Sequence, residues 1–202
     1  MKRILILAAA LLAMALPSRA DDAATLRAIE KANVDVTTIE ANFTHRYSKG
    51  NKSKDFAGTC YFSAPGSLAM AYTVDTEALI INGGRLYSRR DKKVTKGDTH
   101  NGQVRSLTTT LINCIKGRIL TVAEDNNAEW SLMEAGGNYV VTLTARKKAS
   151  KGYSKITLKY RKSDCLITGL SLEEFSGAVN TYVLSSLRTG ETIPPAVFNI
   201  PK

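Results

Sequence analysis

Histidine is scarce in this chain of 202 residues: His45 and His100 are the only two. They are far apart, and neither has a cysteine beside it at the spacing a zinc site uses, so no metal centre is indicated. Cysteine is as scarce. Cys60, Cys114 and Cys165 form no CxxC pair, which leaves no dithiol or zinc motif. In an oxidising compartment two of them can bridge, or all three can stay reduced, and their spacing does not choose. A GxGxxG or GxxxxGK[ST] loop is missing, which argues against nucleotide binding. A GxSxG turn is missing too. A Cys–His pair meets in space and not in sequence, but nothing local marks one. The carboxylates are scattered and form no acid/base pair. These absences favour a binding or carrier protein over an enzyme, and they call for no cofactor and no metal.

Long apolar runs are also missing, except at the start. Met1-Lys2-Arg3 is a basic head, Ile4 to Leu16 is apolar, and Pro17-Ser18-Arg19-Ala20 precedes Asp21-Asp22. These are the three parts of a secretory signal peptide, with Ser18 and Ala20 at the two small-residue positions. The expected cut follows Ala20, giving a signal at 1–20 and one domain at 21–202. The run falls short of the roughly 20 apolar residues a spanning helix needs. Asp21 follows the cut where a lipid-anchored bacterial protein has cysteine, so the mature chain is expected to be exported, soluble and unlipidated.

The whole chain carries a formal charge of +10; without Lys2, Arg3 and Arg19 it is +7. An exported basic protein meets anionic membrane surfaces and acidic partners more than nucleic acid. The densest basic run is Arg89 to Thr99, with Arg89, Arg90, Lys92, Lys93 and Lys96. It reads as a polar loop, either solvated or in contact with a partner.

The patterning that is present is mostly of period two. Ile39, Ala41, Phe43, His45 and Tyr47 alternate with polar residues, as in a half-buried strand. Ser48 to Ser53 reads as a loop, and Phe56 to Ser63 as the next strand. Leu68, Met70 and Tyr72 continue the alternation, and Leu79 to Asn82 turns at Gly83-Gly84 into a return arm. Further strands fall at Trp130–Met133, Asn138–Ala145, Ile156–Tyr160, Leu166–Phe175 and Thr181–Leu187. Two segments have helical spacing. Asp22 to Asn33 has a narrow apolar face of Leu26 and Ile29, which predicts a helix lying lightly on a surface. Leu107, Leu111, Ile115 and Ile119 recur every four residues, which predicts one amphipathic helix ending near Gly117 or just beyond. About ten antiparallel strands must curl or close. The expected fold is mainly β (α+β): a single antiparallel sheet curled into an unclosed β-barrel, with a helical lid over an apolar cavity.

Several stretches together resemble a known family. They are Val36-x-x-Ile39-x-Ala41-x-Phe43-Thr44, Gly58-Thr59-Cys60-Tyr61-Phe62-x-x-Pro65-x-x-Leu68-x-Met70-x-Tyr72, Leu79-Ile80-Ile81-Asn82-Gly83 with Leu86-Tyr87, and Ile193-Pro194 through Phe198 and Pro201. This ordered set resembles the LolA-type periplasmic carriers of outer-membrane lipoproteins. The resemblance implies a monomer whose cavity holds the acyl chains of lipid-modified proteins. It would take them from an inner-membrane release complex to an outer-membrane acceptor, with transient contact at membrane surfaces. The cavity would be lined by Phe43, Phe62, Leu68, Met70 and Tyr72 on strands and by Leu107, Leu111 and Ile115 on the lid. Leu26, Ile29 and Ile119 would complete the lid helices. Where the family carries a lid-latching Arg before the proline, this chain has Ala64, so its latch must differ. The alternative on the same fold is an envelope sensor or adaptor that binds lipid, lipopolysaccharide or a protein through Arg89, Arg90, Lys92 and Lys93.

Overall fold

In chain order the elements are α1 (Arg19–Asn33), β1 (Thr38–Lys49), β2 (Lys52–Ser63), β3 (Ser67–Tyr72), β4 (Glu77–Asn82), β5 (Arg85–Arg90) and β6 (Lys93–Asp98). Then follow α2 (Gly102–Ile115), α3 (Ile119–Asp125), β7 (Ala128–Ala135), β8 (Asn138–Ala145), β9 (Tyr153–Arg161), β10 (Ile167–Glu174) and β11 (Ala178–Thr189), with a 3-10 turn at Pro195–Phe198. This computed structural model describes residues 19–98 and 102–201. The stretch up to Ser18, expected from sequence to be an export signal, and Thr99 and His100, lie outside the described residues. The expected cut after Ala20 falls in the first turn of α1.

Eleven strands form one antiparallel sheet in the order β6-β5-β4-β3-β2-β1-β11-β10-β9-β8-β7. The edge strands β6 and β7 do not pair with each other, so the barrel is unclosed, as expected. The chain crosses the gap through α2 and α3: α2 touches β6 and α3 touches β7. Alternation sends every second side chain to the inner face. Register aligns them in rows: Ile39, Phe62, Leu68, Ile81 and Leu86 in one, then Ala41, Cys60, Met70, Leu79 and Ser88 in the next.

Several sequence expectations change. The basic run after Arg89 is a hairpin, not a loop. Its turn is Asp91-Lys92, and Lys93 already belongs to β6. The expected loop from Ser48 to Ser53 shrinks to a two-residue turn at Gly50-Asn51, because β1 and β2 pair out to Lys49 and Lys52. The mid-chain helix is two helices. Gly117 has φ +67°, and a Cβ there would lie 3.0 Å from the Ile29 carbonyl oxygen and side chain. Only glycine takes that backbone so close to α1, so α2 ends there and Ile119 opens α3.

Helix α1 is not lightly held, despite its narrow face. Leu26 and Ile29 are fully buried in the main core. Asn33, also buried, donates from Nδ2 to the carbonyls of Ile29 and Cys165, each at 2.9 Å. The second bond ties the helix end to the β9–β10 turn. All three cysteines are free, and burial pushes the Cys60 and Cys114 thiols up to about 12, which makes them poor nucleophiles.

Gly58 fixes the packing of the wall. A Cβ there would meet the Ala71 carbonyl oxygen at 2.1 Å and the Phe43 ring at 2.8 Å. Gly58→Ala is therefore expected to destabilise the fold by about 2–3 kcal/mol, read as a lower urea midpoint; an unchanged midpoint would show that the wall yields there.

Candidate functional site

The inner face of the sheet and α2 line a cavity of about 190 Å³. At one end Ile39, Phe62 and Leu68 meet Leu107, Leu111 and Ile115 of α2, with Ile167 from the far side of the sheet. An apolar void of about 150 Å³ accepts a benzene-sized molecule, so a space of this volume has room for a short apolar segment.

Of the residues singled out from sequence, Phe62, Leu68, Met70, Tyr72, Leu107, Leu111 and Ile115 line this one space. Phe43 does not. Its ring packs edge-on against Tyr72, with centroids 4.9 Å apart, inside the wall over Gly58. Leu26, Ile29 and Ile119 belong to the core behind the cavity. Arg89 and Arg90 are neighbours on β5 and so point to opposite faces. Arg89 donates to the Tyr87 hydroxyl and the Asp75 carbonyl. Arg90 turns into the cavity mouth, while Lys92 on the turn and Lys93 at the start of β6 are exposed outside it.

Helix α2 is fastened without an arginine before Pro65. The Tyr160 hydroxyl donates to the Cys114 carbonyl at 2.6 Å. Lys116, just past the helix end, donates from Nζ to the carbonyls of Val36 at 3.0 Å and Val34 at 3.3 Å. Its ammonium also stands 5.9 Å from the Phe62 ring centroid, within cation–π range. Desolvation lowers the pKa of Lys116.

The other end of the cavity is polar, which the sequence reading missed. Glu77 and Arg90 are directly paired across β4 and β5, continuing the inner rows of Leu79 and Ser88. Asn180 and Tyr182 face them from β11. Period two predicts this, because Glu77 shares the parity of Leu79 and Ile81. Starting that strand at Leu79 hid it.

These groups form a network whose donors can be assigned. A guanidinium only donates, so the atom that Arg90 Nη2 meets at 3.3 Å is the carbonyl oxygen Oδ1 of Asn180. That oxygen also lies 3.1 Å from His45 Nε2, which must then carry the proton. His45 Nδ1 is left to accept from the Tyr72 hydroxyl at 3.0 Å. The imidazole stacks on the Tyr182 ring, centroids 4.2 Å apart, and is 1% exposed. Burial lowers its pKa to about 4; the Asn180 bond and Asp55 oppose that shift and Arg90 adds to it.

The sign of the resulting pH dependence follows. Above pH 6.5 the imidazole is neutral in both folded and unfolded chains. Between pH 6.5 and 4 only the unfolded chain takes the proton, so stability falls as pH falls. A shift of this size corresponds to a loss on the order of 3 kcal/mol. Urea unfolding of the protein and of His45→Gln across pH 7 to 4 checks it: the variant should lose most of the slope, and an equal slope would assign it to other groups.

Among the described residues no cluster of three or more His, Cys, Asp or Glu side chains is placed to hold a metal. No described helix is long and apolar enough to cross a membrane. Residues 34–201 match the family described as outer membrane lipoprotein carrier protein LolA. No curated protein matches the chain. Among solved structures, an uncharacterized conserved protein from Thermus thermophilus is similar at 8% identity and a TM-score of 0.51, over 90% of this chain and 95% of its own. A LolA superfamily protein from Nitrosomonas europaea is 11% identical with a TM-score of 0.42, over 88% of this chain and 97% of its own. The MucA/MucB complex of Pseudomonas aeruginosa gives 12% identity and a TM-score of 0.41, over 89% of this chain and 61% of its own. At 8% identity the likeness to the Thermus thermophilus protein is one of fold. The family match, running from Val34 to Pro201 through every strand of the sheet, is the stronger finding, and by it this chain belongs to the LolA family.

Proposed function

We propose that this protein is a periplasmic carrier that shields lipoprotein acyl chains from water, not an enzyme. In this reading residues 1–20 are its export signal. It takes acylated proteins from a release complex at the inner membrane and hands them to an acceptor at the outer membrane. The observation that carries the reading is the apolar cavity roofed by α2. Each buried acyl methylene contributes about 0.8 kcal/mol, so a chain of ordinary length resists leaving a bilayer by roughly 10 kcal/mol or more. A water-soluble intermediary must replace that apolar contact.

The size of the cavity adds a condition. A space of about 190 Å³ takes part of one chain, so cargo with several chains requires α2 to swing outward. The fastening of α2 suits this. Its two ties from Lys116 go to backbone carbonyls just before β1, and such a contact can be given up without unpairing the sheet.

A second reading, an envelope sensor or adaptor, draws on the rim. In an antiparallel sheet alternate turns share one end. The turns at 50–51, 91–92 and 146–152 lie at the polar end of the cavity and bring together Lys49, Lys52, Lys92, Lys93, Lys147, Lys148 and Lys151. Such a rim attracts an anionic surface.

Native mass spectrometry of protein purified from periplasm without detergent should show bound acylated species. Leu107→Trp, which fills the space under α2, should lower that occupancy at least tenfold; an empty wild-type protein would remove the carrier reading. Lys116→Met should speed amide exchange across 102–115 while leaving the strands protected. Reversing Lys92 and Lys93 to Glu separates the two readings: a carrier keeps its acyl cargo, and an adaptor loses its partner.

A further inference from the structure

One group in the cavity has no explanation in acyl-chain burial. Glu77 is 6% exposed, lies on the cavity wall, and its Oε1 has no hydrogen-bond partner among the described residues. A buried carboxylate oxygen without a donor is costly. Asp91 supplies one backbone hydrogen bond to this carboxyl. The nearest cation does not supply another. Arg90 stands opposite Glu77 in the register, yet its guanidinium reaches across the mouth to Asn180 and lies over the Tyr47 ring, 5.0 Å from the centroid. The other acid lining the cavity, Glu174, accepts from Ser176 at 2.9 Å. Glu77 Oε1 is therefore an acceptor held in the cavity wall at the point where apolar lining gives way to polar.

We propose that Glu77 binds the head of the amphiphile whose chains occupy the apolar end, and that this head carries an N–H donor. The proposal rests on the carrier reading and deepens it. Chains lie against Phe62, Met70 and Leu111, and the head stops at Glu77, with the Arg90–Asn180 bond closing the mouth beyond it. An ammonium fits best, because it brings both a donor and the opposite charge. Two sources offer that chemistry: the free amino terminus of a diacylated lipoprotein, and the ethanolamine of a phospholipid.

The test compares heads that share a charge and differ in donors. Decylamine and decyltrimethylammonium are titrated separately below their micelle concentrations, with binding read by calorimetry. The amine should bind at least about tenfold more tightly, and in Glu77→Leu, which leaves no acceptor there, the ratio should fall towards one. A preference that survives in Glu77→Leu would overturn the assignment, since it would reflect the bulk of the quaternary head. Equal affinity in the wild-type protein would overturn it without any variant, while leaving the carrier reading in place. Binding of neither probe would count against the carrier reading itself. A diacylglyceryl-cysteinyl peptide and lysophosphatidylethanolamine, each compared with its N-trimethylated form, then tell which source is preferred.

Discussion

The structure depends on one unsatisfied closure. Eleven strands make a single sheet whose ends, β6 and β7, do not pair, so its inner face cannot be sealed by strands. Helices have to cover it, and the chain supplies them at the gap, between the two edge strands. The consequences follow in order. The inner face stays apolar because helices pack on it. The packing is incomplete because two short helices cannot fill the space under so wide a sheet. The part left unfilled is the cavity.

The two helical layers are held differently. Helix α1 is sunk in the core, fastened through Asn33 to the β9–β10 turn, and its close approach forces the break at Gly117. Helix α2 offers only part of its length to the core and faces the cavity with Leu107, Leu111 and Ile115. Its ties are the Tyr160 hydroxyl and the Lys116 ammonium. The carrier role proposed above would use that asymmetry: one helix held in the core, and another whose contacts could be exchanged for those of cargo.

Polarity is graded along the cavity. Rows of Ile, Leu, Phe and Met under α2 give way to Tyr72, then to Glu77 and Arg90, with Tyr182 and Asn180 across from them. An apolar ligand alone would gain nothing from the second half. The His45 network explains part of it, since Asn180, Arg90 and Tyr72 satisfy one another through the neutral ring. Glu77 stands outside that network, and it gives the site a direction.

Much of this was legible in the sequence. Period two marked the strands from β1 to β3 and the face carrying Phe62, Leu68, Met70 and Tyr72, because alternation is local and tolerates no slip. Period four marked α2. What the chain alone did not decide was everything that depends on where elements meet. Phe43 has the pattern of a lining residue, but the bare Gly58 opposite let its ring sink into the wall. Arg89 and Arg90 read as one basic patch, and the pleat of β5 sent them to opposite faces. Glu77 fell just before the strand expected from Leu79, and pairing with Arg90 extended that strand back to it and buried it. Local spacing determines which face a side chain joins. Tertiary packing alone decides whether that face meets core, cavity or water, because those surroundings come from strands and helices far away in the chain.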